Sequence, residues 1–373
     1  MSTNYKKLGD IVELIDERNK DGKVHNLIGV SIDKCFIKSV ANTIGTDLTK
    51  YQVIRKNDFA CSLMQVSRDG KIPIACLKDY NEAIMSPAYY IFRIKNTNEV
   101  LPDYLAMWFM RTEFDREASY IAVGGVRGSM PWEDFCDMKL PVPDLKEQEK
   151  IVNTYNAITK RIQLKQKINE NLEKTAQCLY SDIVLRKENI EYTSIGSFGR
   201  VITGKTPSTE VSEYYGNEIP FIKTPDMHSG VFVTKVGSKL SKIGADSQRQ
   251  KYIREKSVVV ACIGAGIGEV AITSDLSQTN QQINAVETDY PFMLYFGIKN
   301  SYEKLHAAGC GGSTMPNLNR TDFEDFMIPT LKHDKETLEI KLSKLCNTIE
   351  INQKEMDQLE EMKHFVVSQI STR

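Results

Sequence analysis

The sequence lacks most of what marks a membrane protein or a self-contained catalyst. No run approaches the roughly eighteen apolar residues that a bilayer span requires, and the opening segment MSTNYKKLGDIVEL has no apolar core of the secretory kind. These absences point to a cytoplasmic protein with no membrane partner. Eight cysteines (35, 61, 76, 136, 178, 262, 310 and 346) form no C-x-x-C pair and join no histidine at zinc spacing, so they read as reduced and mostly buried. Five histidines (25, 228, 306, 333 and 364) stand in neither metal nor triad spacing, and no P-loop lysine motif occurs. Charge of either sign is not in excess: 48 basic against 49 acidic residues leave a formal charge of -1, which gives no global nucleic-acid signal.

One glycine-rich stretch, VVVACIGAGIGEVAI, tests for a nucleotide or S-adenosylmethionine loop. Gly264, Gly266 and Gly268 follow a β-branched run, as a phosphate-cradling turn would. A dinucleotide fingerprint, however, wants glycine where Glu269 stands and a helix directly after it, whereas EVAIT continues as a strand. The stretch reads as a hairpin whose backbone is free to approach a partner closely. No cofactor is expected on this chain.

What the sequence does contain is itself, twice. Tyr5, Leu8 and Gly9 return as Tyr192, Ile195 and Gly196, and Gly124-Gly125 returns as Gly311-Gly312, each shifted by 187. DFCDMKLP (134 to 141) is answered by DFEDFMIP (322 to 329), and VIRKNDFAC by YIREKSVVVAC at a larger shift. The offset drifts inside the units and recovers at their ends, as it does when loops differ and frames agree.

After the first copy, Pro141 and Pro143 end the preceding element in extended form, because neither offers an N–H. Asp144 then fits an N-cap with Glu147 as its box partner; in the second copy Asp334 is the counterpart cap. Ile151, Tyr155, Ile158, Ile162, Lys165, Asn169, Leu172, Ala176, Leu179 and Ile183 alternate spacings of 4 and 3, the seam of a heptad helix. Adding 187 gives Leu338, Leu342, Leu345, Ile349, Asn352, Met356, Leu359, Lys363, Val366 and Ile370. Two long helices with matching stripes fit one another best as an antiparallel pair, with each helix packed on its own domain as the alternative. The polar seam positions Lys165, Asn169, Asn352 and Lys363 fit a register-setting role.

The chain therefore reads as α+β with the order domain (1–145), helix (146–186), domain (187–331), helix (332–373), the two domains at opposite ends of the helix pair. Short apolar runs such as NDFACSLMQV, AYYIFRI and SVVVACIG predict strands of an antiparallel or mixed sheet. Residues 103–119 and 290–308 predict one helix in each copy. Residues 235 to 256 hold Lys235, Lys239, Lys242, Arg249, Lys251, Arg254 and Lys256 against Asp246 and Glu255, a local excess of the kind that phosphate contacts require or that a solvated face carries.

Two unlike domains on one frame, each closed by a GG…DF…P pattern and followed by a long helix, with LPVPDLKEQEKI after the first, resemble the specificity subunit of type I restriction-modification systems. Pro141, Pro143, Glu147, Gln148 and Ile151 carry the family's junction; IPTLKHDKETLEI after the second domain lacks the second proline and the Glu-Gln. The resemblance implies a subunit without catalytic activity that recognises a bipartite site in double-stranded DNA through two target-recognition domains. It also implies assembly with two modification (methyltransferase) subunits, nuclease subunits being further candidates, with S-adenosylmethionine on the partner. Base readers are then expected in the loop segments VSRDGK (Ser67, Arg68, Lys71), VRGS (Arg127, Ser129), TGKTPS (Lys205, Thr206), KTPDMH (Lys223, Asp226, His228) and STMPNLNR (Ser313, Asn317, Asn319, Arg320). Phosphate contacts are expected from Arg55 and Lys56, and from Lys235, Lys239, Lys242 and Arg249. Each has a turn, cap or solvated-face reading beside it. Two other classes stay open at this point: a self-contained S-adenosylmethionine enzyme using the glycine loop, and a coiled-coil scaffold without a DNA role.

Overall fold

The computed structural model describes residues 4–39, 45–64, 66–124, 128–185, 190–310 and 316–371. The chain forms two compact units, Met1–Lys160 together with Glu361–Arg373, and Arg161–Glu360.

In the first unit, four strands lie in the order Val12–Leu14, Tyr90–Ile94, Phe59–Cys61, Ile74–Cys76, all antiparallel. Phe59, Ala60 and Cys61 are all buried although successive side chains point to opposite faces, so both faces of this sheet are covered. Phe59, Cys61 and Phe92 join the larger cluster with the helices, while Ala60, Ala75 and Ile91 pack with Ile28, Ile54 and Met85 on the other side. The single helix expected over 103–119 is two, Pro102–Phe109 and Thr112–Ile121, broken where Arg111 turns extended (φ -71°, ψ 141°). The reason is geometric. Phe109 and Phe114 both face the core at 5.1 Å from one another, but five residues along a helix of 3.6 residues per turn would point them about 140° apart.

The second unit repeats this frame. Its sheet runs Gly199–Thr203, Ile283–Thr288, Val258–Ala261, Val270–Thr273, with Phe232–Val233 added in parallel at the edge. The helix expected over 290–308 is likewise split, into Pro291–Asn300 and Tyr302–Cys310.

Both units close in the same way. Tyr5–Lys7 pairs with Lys139–Pro141, and Ile190–Ser194 with Met327–Leu331, setting Tyr5 opposite Pro141 and Tyr192 opposite Pro329. The Leu8 N–H donates to the Met138 carbonyl at 2.8 Å, and the Ile195 N–H to Phe326 at 3.0 Å. Gly9 and Gly196 recur for one reason: a Cβ there would come within 2.9 Å of Cys136 Cβ or 3.1 Å of Glu324 Cβ, so each lets a short helix lie against the turn.

The two long helices are Leu145–Val184 and Lys335–Ser368. The Asp144 carboxylate accepts the Glu147 N–H at 2.9 Å, as an N-cap should. Asp334 differs: it takes a left-handed conformation (φ 64°), and its carbonyl accepts the Leu338 N–H. All twenty predicted seam positions are buried or half-buried. In the first unit Val152 packs in one cluster with Val367 and Ile370, and Lys363 Nζ lies 5.9 Å from the centre of the Tyr155 ring. In the second, Lys165 Nζ donates to Asn352 Oδ1 at 2.8 Å, Asn352 Nδ2 to Asn169 Oδ1 at 2.8 Å, and Glu355 pairs with Lys165 at 2.7 Å and with Arg161. Numbers rise on one helix as they fall on the other, so the pairing is antiparallel within each unit. The polar seam residues satisfy one another there, which favours one register over its neighbours.

Each helix also packs on a domain, so the pairing and the packing that seemed alternatives coexist. Buried Gln148 accepts the Leu101 N–H at 2.9 Å at the start of Pro102–Phe109 and donates to the Glu99 and Pro143 carbonyls, both at 2.8 Å. In the second unit Glu339 accepts the Phe292 and Met293 N–H groups at 2.9 and 2.8 Å at the start of Pro291–Asn300. Gln353 bridges the N–H and carbonyl of Phe232 at 3.1 and 3.0 Å, and Glu350 pairs with Lys256.

Candidate nucleic-acid interface

A sheet whose two faces are covered leaves its ends for recognition. In the second unit, Gly199–Thr203 and Val258–Ala261 both run antiparallel to Ile283–Thr288, so Thr203, Ala261 and Ile283 mark the same end. Four segments meet there. The Gly204 N–H donates to Ile283 and the Lys205 N–H to Thr279, at 3.0 and 2.9 Å, zipping the 204–206 turn onto the 279–282 turn. The Cys262 N–H donates to the Gln282 carbonyl at 2.8 Å, and the Leu318 N–H to the Cys262 carbonyl at 2.8 Å, bringing in the glycine hairpin and the segment holding Asn317. Gly204 admits this closeness, because a Cβ on it would collide with the Asn280 carbonyl.

Side chains knit the same end. Thr206 Oγ1 donates to Gln281 Oε1 at 2.7 Å, Thr224 Oγ1 to Gln282 Oε1 at 3.3 Å, and Asn280 Nδ2 to Gln282 Oε1 at 3.1 Å. Lys223 Nζ is held by Ser238 Oγ at 2.8 Å. Lys205, Thr206, Lys223 and Asn317, picked from separate stretches, are thus gathered around a turn, Thr279–Gln282, that the sequence reading passed over. Its signal was present in SQTNQQIN: five amide side chains within eight residues.

The corresponding end of the first unit lies beyond Leu14 and Cys61 and before Tyr90. The Met130 N–H donates to the Leu63 carbonyl at 2.9 Å, the counterpart of the Leu318 to Cys262 bond. Ser67 stands against Gly128, so VSRDGK and the end of VRGS come together, with Arg68 exposed beside Asp69 at 2.7 Å. Ser129 is half-buried in the same segment, and Lys71 is exposed. Arg127 and Ser313, with Gly125, Gly311 and Gly312 of the repeat marker, lie outside the described residues.

Several other predicted contacts hold structural posts. Arg55, itself exposed, pairs with Glu17 and Glu82, while its exposed neighbour Lys56 has no ion pair among the described residues. The Asp226 carboxylate accepts the Lys223 and Gly237 N–H groups at 2.8 and 2.9 Å, as a loop brace. Asn319 caps Arg320–Asp325 through the Asp322 N–H at 2.9 Å, and Arg320 pairs with Glu324 at 2.6 Å and reaches the Val201 carbonyl at 3.2 Å. His228 is exposed, its Nδ1 3.5 Å from Glu269.

Most cations of the 235–256 excess also have partners within the chain. Lys235 reaches the Asp357 carbonyl at 3.1 Å, Arg249 reaches Asp246 at 3.3 Å and Lys251 the Thr203 carbonyl at 2.9 Å. Arg254 reaches Asp289 at 3.0 Å, and Lys256 binds Glu350 and stands 4.8 Å from the Phe232 ring centre. Lys239 and Lys242 remain exposed.

Among the described residues no group of three or more histidine, cysteine, aspartate and glutamate side chains is placed to hold a metal ion, and no helix is long and apolar enough to cross a membrane. Burial pushes the thiols of half-buried Cys76 and of buried Cys262 and Cys346 up to about 12, which makes them packing groups.

Two copies of one α+β frame joined by long paired helices define a modular two-domain protein, and comparison with known proteins gives that class its family. The model of the type I restriction modification DNA specificity domain matches residues 3–174 and again 187–361, so the chain belongs to that family. The specificity subunit of the type I restriction enzyme HindI from Haemophilus influenzae is 27% identical over 359 residues, covering 73% of this chain and 78% of that protein. A putative type I restriction enzyme MjaX specificity subunit from Methanocaldococcus jannaschii is 21% identical over 409 residues, covering 98% and 92%. The crystal structure of a type I restriction-modification S subunit from M. genitalium superposes with a TM-score of 0.61 at 12% identity, over 99% of this chain and 96% of that one. This likeness shows the fold.

Proposed function

We propose that this chain is the sequence-reading subunit of a type I restriction-modification complex. Each repeat reads one half of a bipartite site in double-stranded DNA, and the paired helices carry two methyltransferase subunits to it. The chain supplies recognition and no catalytic step; adenine methylation, with S-adenosylmethionine, falls to the partners, which must extrude the base from the helix stack.

One observation carries this reading: the same sheet end in the two repeats is built on one backbone frame and furnished with unrelated side chains. The first offers Ser67, Arg68 and Lys71, the second Lys205, Thr206, Lys223 and a run of amides. Divergent loops on a shared frame are what two readers of different half-sites need, since phosphate contacts position and base-edge contacts specify. Docking of the modification subunits is supported by apolar side chains on the outward faces of the helices. Leu164, Ile168, Ile340 and Ile351 are exposed in the second unit, and Met362 and Phe365 in the first. Leu164 and Ile168, four residues apart, share one helix face, as do Met362 and Phe365, three apart, and a contiguous exposed apolar face is what a docking partner covers.

The test is exchange of the second repeat. The chain is assembled with its modification subunits, presented with random DNA fragments, and the retained fragments are sequenced. Replacing residues 190–331 by the same segment of a relative changes one half of the enriched motif and keeps the other. A change in both halves, or no enrichment by the parent complex, sinks the assignment.

A further inference from the structure

Within the second repeat the 279–282 segment carries an exposed amide on a buried base. Gln278, Thr279 and Asn280 are buried, whereas Gln281 is exposed at the tip and Gln282 half-exposed. A neutral amide set out at a rigid turn has no role in the fold's charge balance, and Gln281 packs into none of the hydrophobic clusters. One hydrogen bond nevertheless orients its amide. Thr206 Oγ1 donates to Gln281 Oε1 at 2.7 Å, and Thr206 sits on a turn held by the Gly204 and Lys205 N–H bonds and by Gln248 Nε2 on the Lys205 carbonyl at 2.8 Å. With one lone pair of Oε1 taken by Thr206, Gln281 still presents the other lone pair and its Nε2 donors side by side.

Gln282 differs in kind. Its Oε1 accepts from both Thr224 Oγ1 and Asn280 Nδ2, at 3.3 and 3.1 Å, so its acceptor capacity is used and it offers donors alone. Of these two glutamines, Gln281 keeps the paired acceptor and donor that matches adenine in the major groove, where N6–H₂ donates and N7 accepts. Lys205, exposed next to Thr206, is placed for the flanking phosphate, which would set the register of the amide on its base.

We propose that Gln281 specifies an adenine in the half-site read by the second repeat, with Thr206 as the positioning residue that holds its amide plane. The inference rests on the DNA-reading function proposed above and adds to it a named base and a named side chain.

The experiment uses the full chain assembled with its modification subunits and a random double-stranded DNA library, comparing the parent with Gln281→Ala and Gln281→Glu. In Gln281→Ala one position of one half-site loses its adenine preference, on the order of tenfold to a hundredfold, the discrimination that a bidentate pair supplies. The other half-site is unchanged. Gln281→Glu has no donor for N7 and shifts the preference at that position toward cytosine, whose N4 donates. Thr206→Val blurs the same position without moving it. Retention of every base preference by both Gln281 variants, or loss spread over both half-sites, overturns the assignment of Gln281. A parent complex that enriches no motif overturns the underlying DNA-reading function, and the two failures are told apart in one dataset.

Discussion

The two repeats share strand order, closing turns and register, yet they fill their cores with different chemistry. Phe92 stands between Leu14 and Phe59 in the first sheet; its register equivalent, Val286, stands between Val201 and Val258 in the second. Around Phe92 gathers an aromatic cluster: Phe59 at 5.3 Å, Trp132 at 5.6 Å, Phe135 at 5.8 Å and Phe109 at 6.2 Å. Around Val286 the cluster is mostly aliphatic, with Val258, Val260, Ile272, Leu294 and Leu305. A frame can therefore outlast its packing when backbone pairing and close-approach glycines define it. The largest expected effect breaks this comparison at its centre. Phe92→Ala should cost the first unit roughly 3–5 kcal/mol through lost contacts and a cavity, whereas Val286→Ala should cost the second about 2 kcal/mol. Both tryptophans, Trp108 and Trp132, belong to the first unit, so urea unfolding followed by tryptophan fluorescence reads Phe92→Ala selectively. Val286→Ala is read from amide hydrogen exchange in the second sheet. Equal costs would mean that the two cores respond alike despite their composition.

The attachment to the long helices differs in a second respect. Both units cap a domain helix with a side chain from a long helix, but the first uses the neutral amide of Gln148 and the second the carboxyl of Glu339. Burial pushes the Glu339 carboxyl up from its usual 4.5 to about 7, against the pull of two backbone N–H donors. A carboxyl raised in the folded state binds its proton more tightly there than in the unfolded chain. The stabilisation is therefore fully present below pH 4.5 and is lost as pH rises through about 7. The second unit should lose about 3 kcal/mol across that window, measured as urea stability at a series of pH values by hydrogen exchange. Glu339→Gln should flatten the profile, making the second unit behave as the first does at Gln148. A profile that stays steep in Glu339→Gln would assign the dependence to another group.

Period and repeat were legible because they are properties of the chain alone. Every predicted seam residue is buried or half-buried, and the shift of 187 to 188 that aligns Gly9 with Gly196 and Pro141 with Pro329 reappears as matching strand pairs. What could not be read was how polar groups would spend themselves. Lys256 and Arg254 looked like parts of a phosphate patch, but their partners Glu350 and Asp289 lie 94 and 35 residues away. Asn319 has the chemistry of a base reader, and its side chain also caps Arg320–Asp325. The 279–282 turn was overlooked for the converse reason. Neutral amides leave no charge signature, and only the fold brings Gln281 beside Thr206, 75 residues earlier.

The division between cations paired to a carboxylate and cations without an ion pair among the described residues gives the smallest of the expected effects, and it applies to both repeats. Arg55 beside Glu17 and Glu82 has the role in the first that Arg254 beside Asp289 has in the second; all four cations are exposed, but among the described residues Lys56 and Lys205 have no ion pair. A phosphate contact shows itself in the salt dependence of binding, because each neutralised phosphate releases counterions and contributes about -0.9 to the slope of log K against log salt. Lys205→Ala should therefore reduce that slope by about one unit and weaken binding almost evenly across sequences. Arg254→Ala should leave the slope unchanged and cost some stability in the second unit through its lost bonds to Asp289 and the Thr288 carbonyl. Titrating the assembled complex with its enriched DNA from low to moderate salt separates the two. A slope that falls for Arg254→Ala and holds for Lys205→Ala would reverse the assignment: the acidic partners would then be releasing their cations to DNA on binding, and both repeats would carry a latent basic surface.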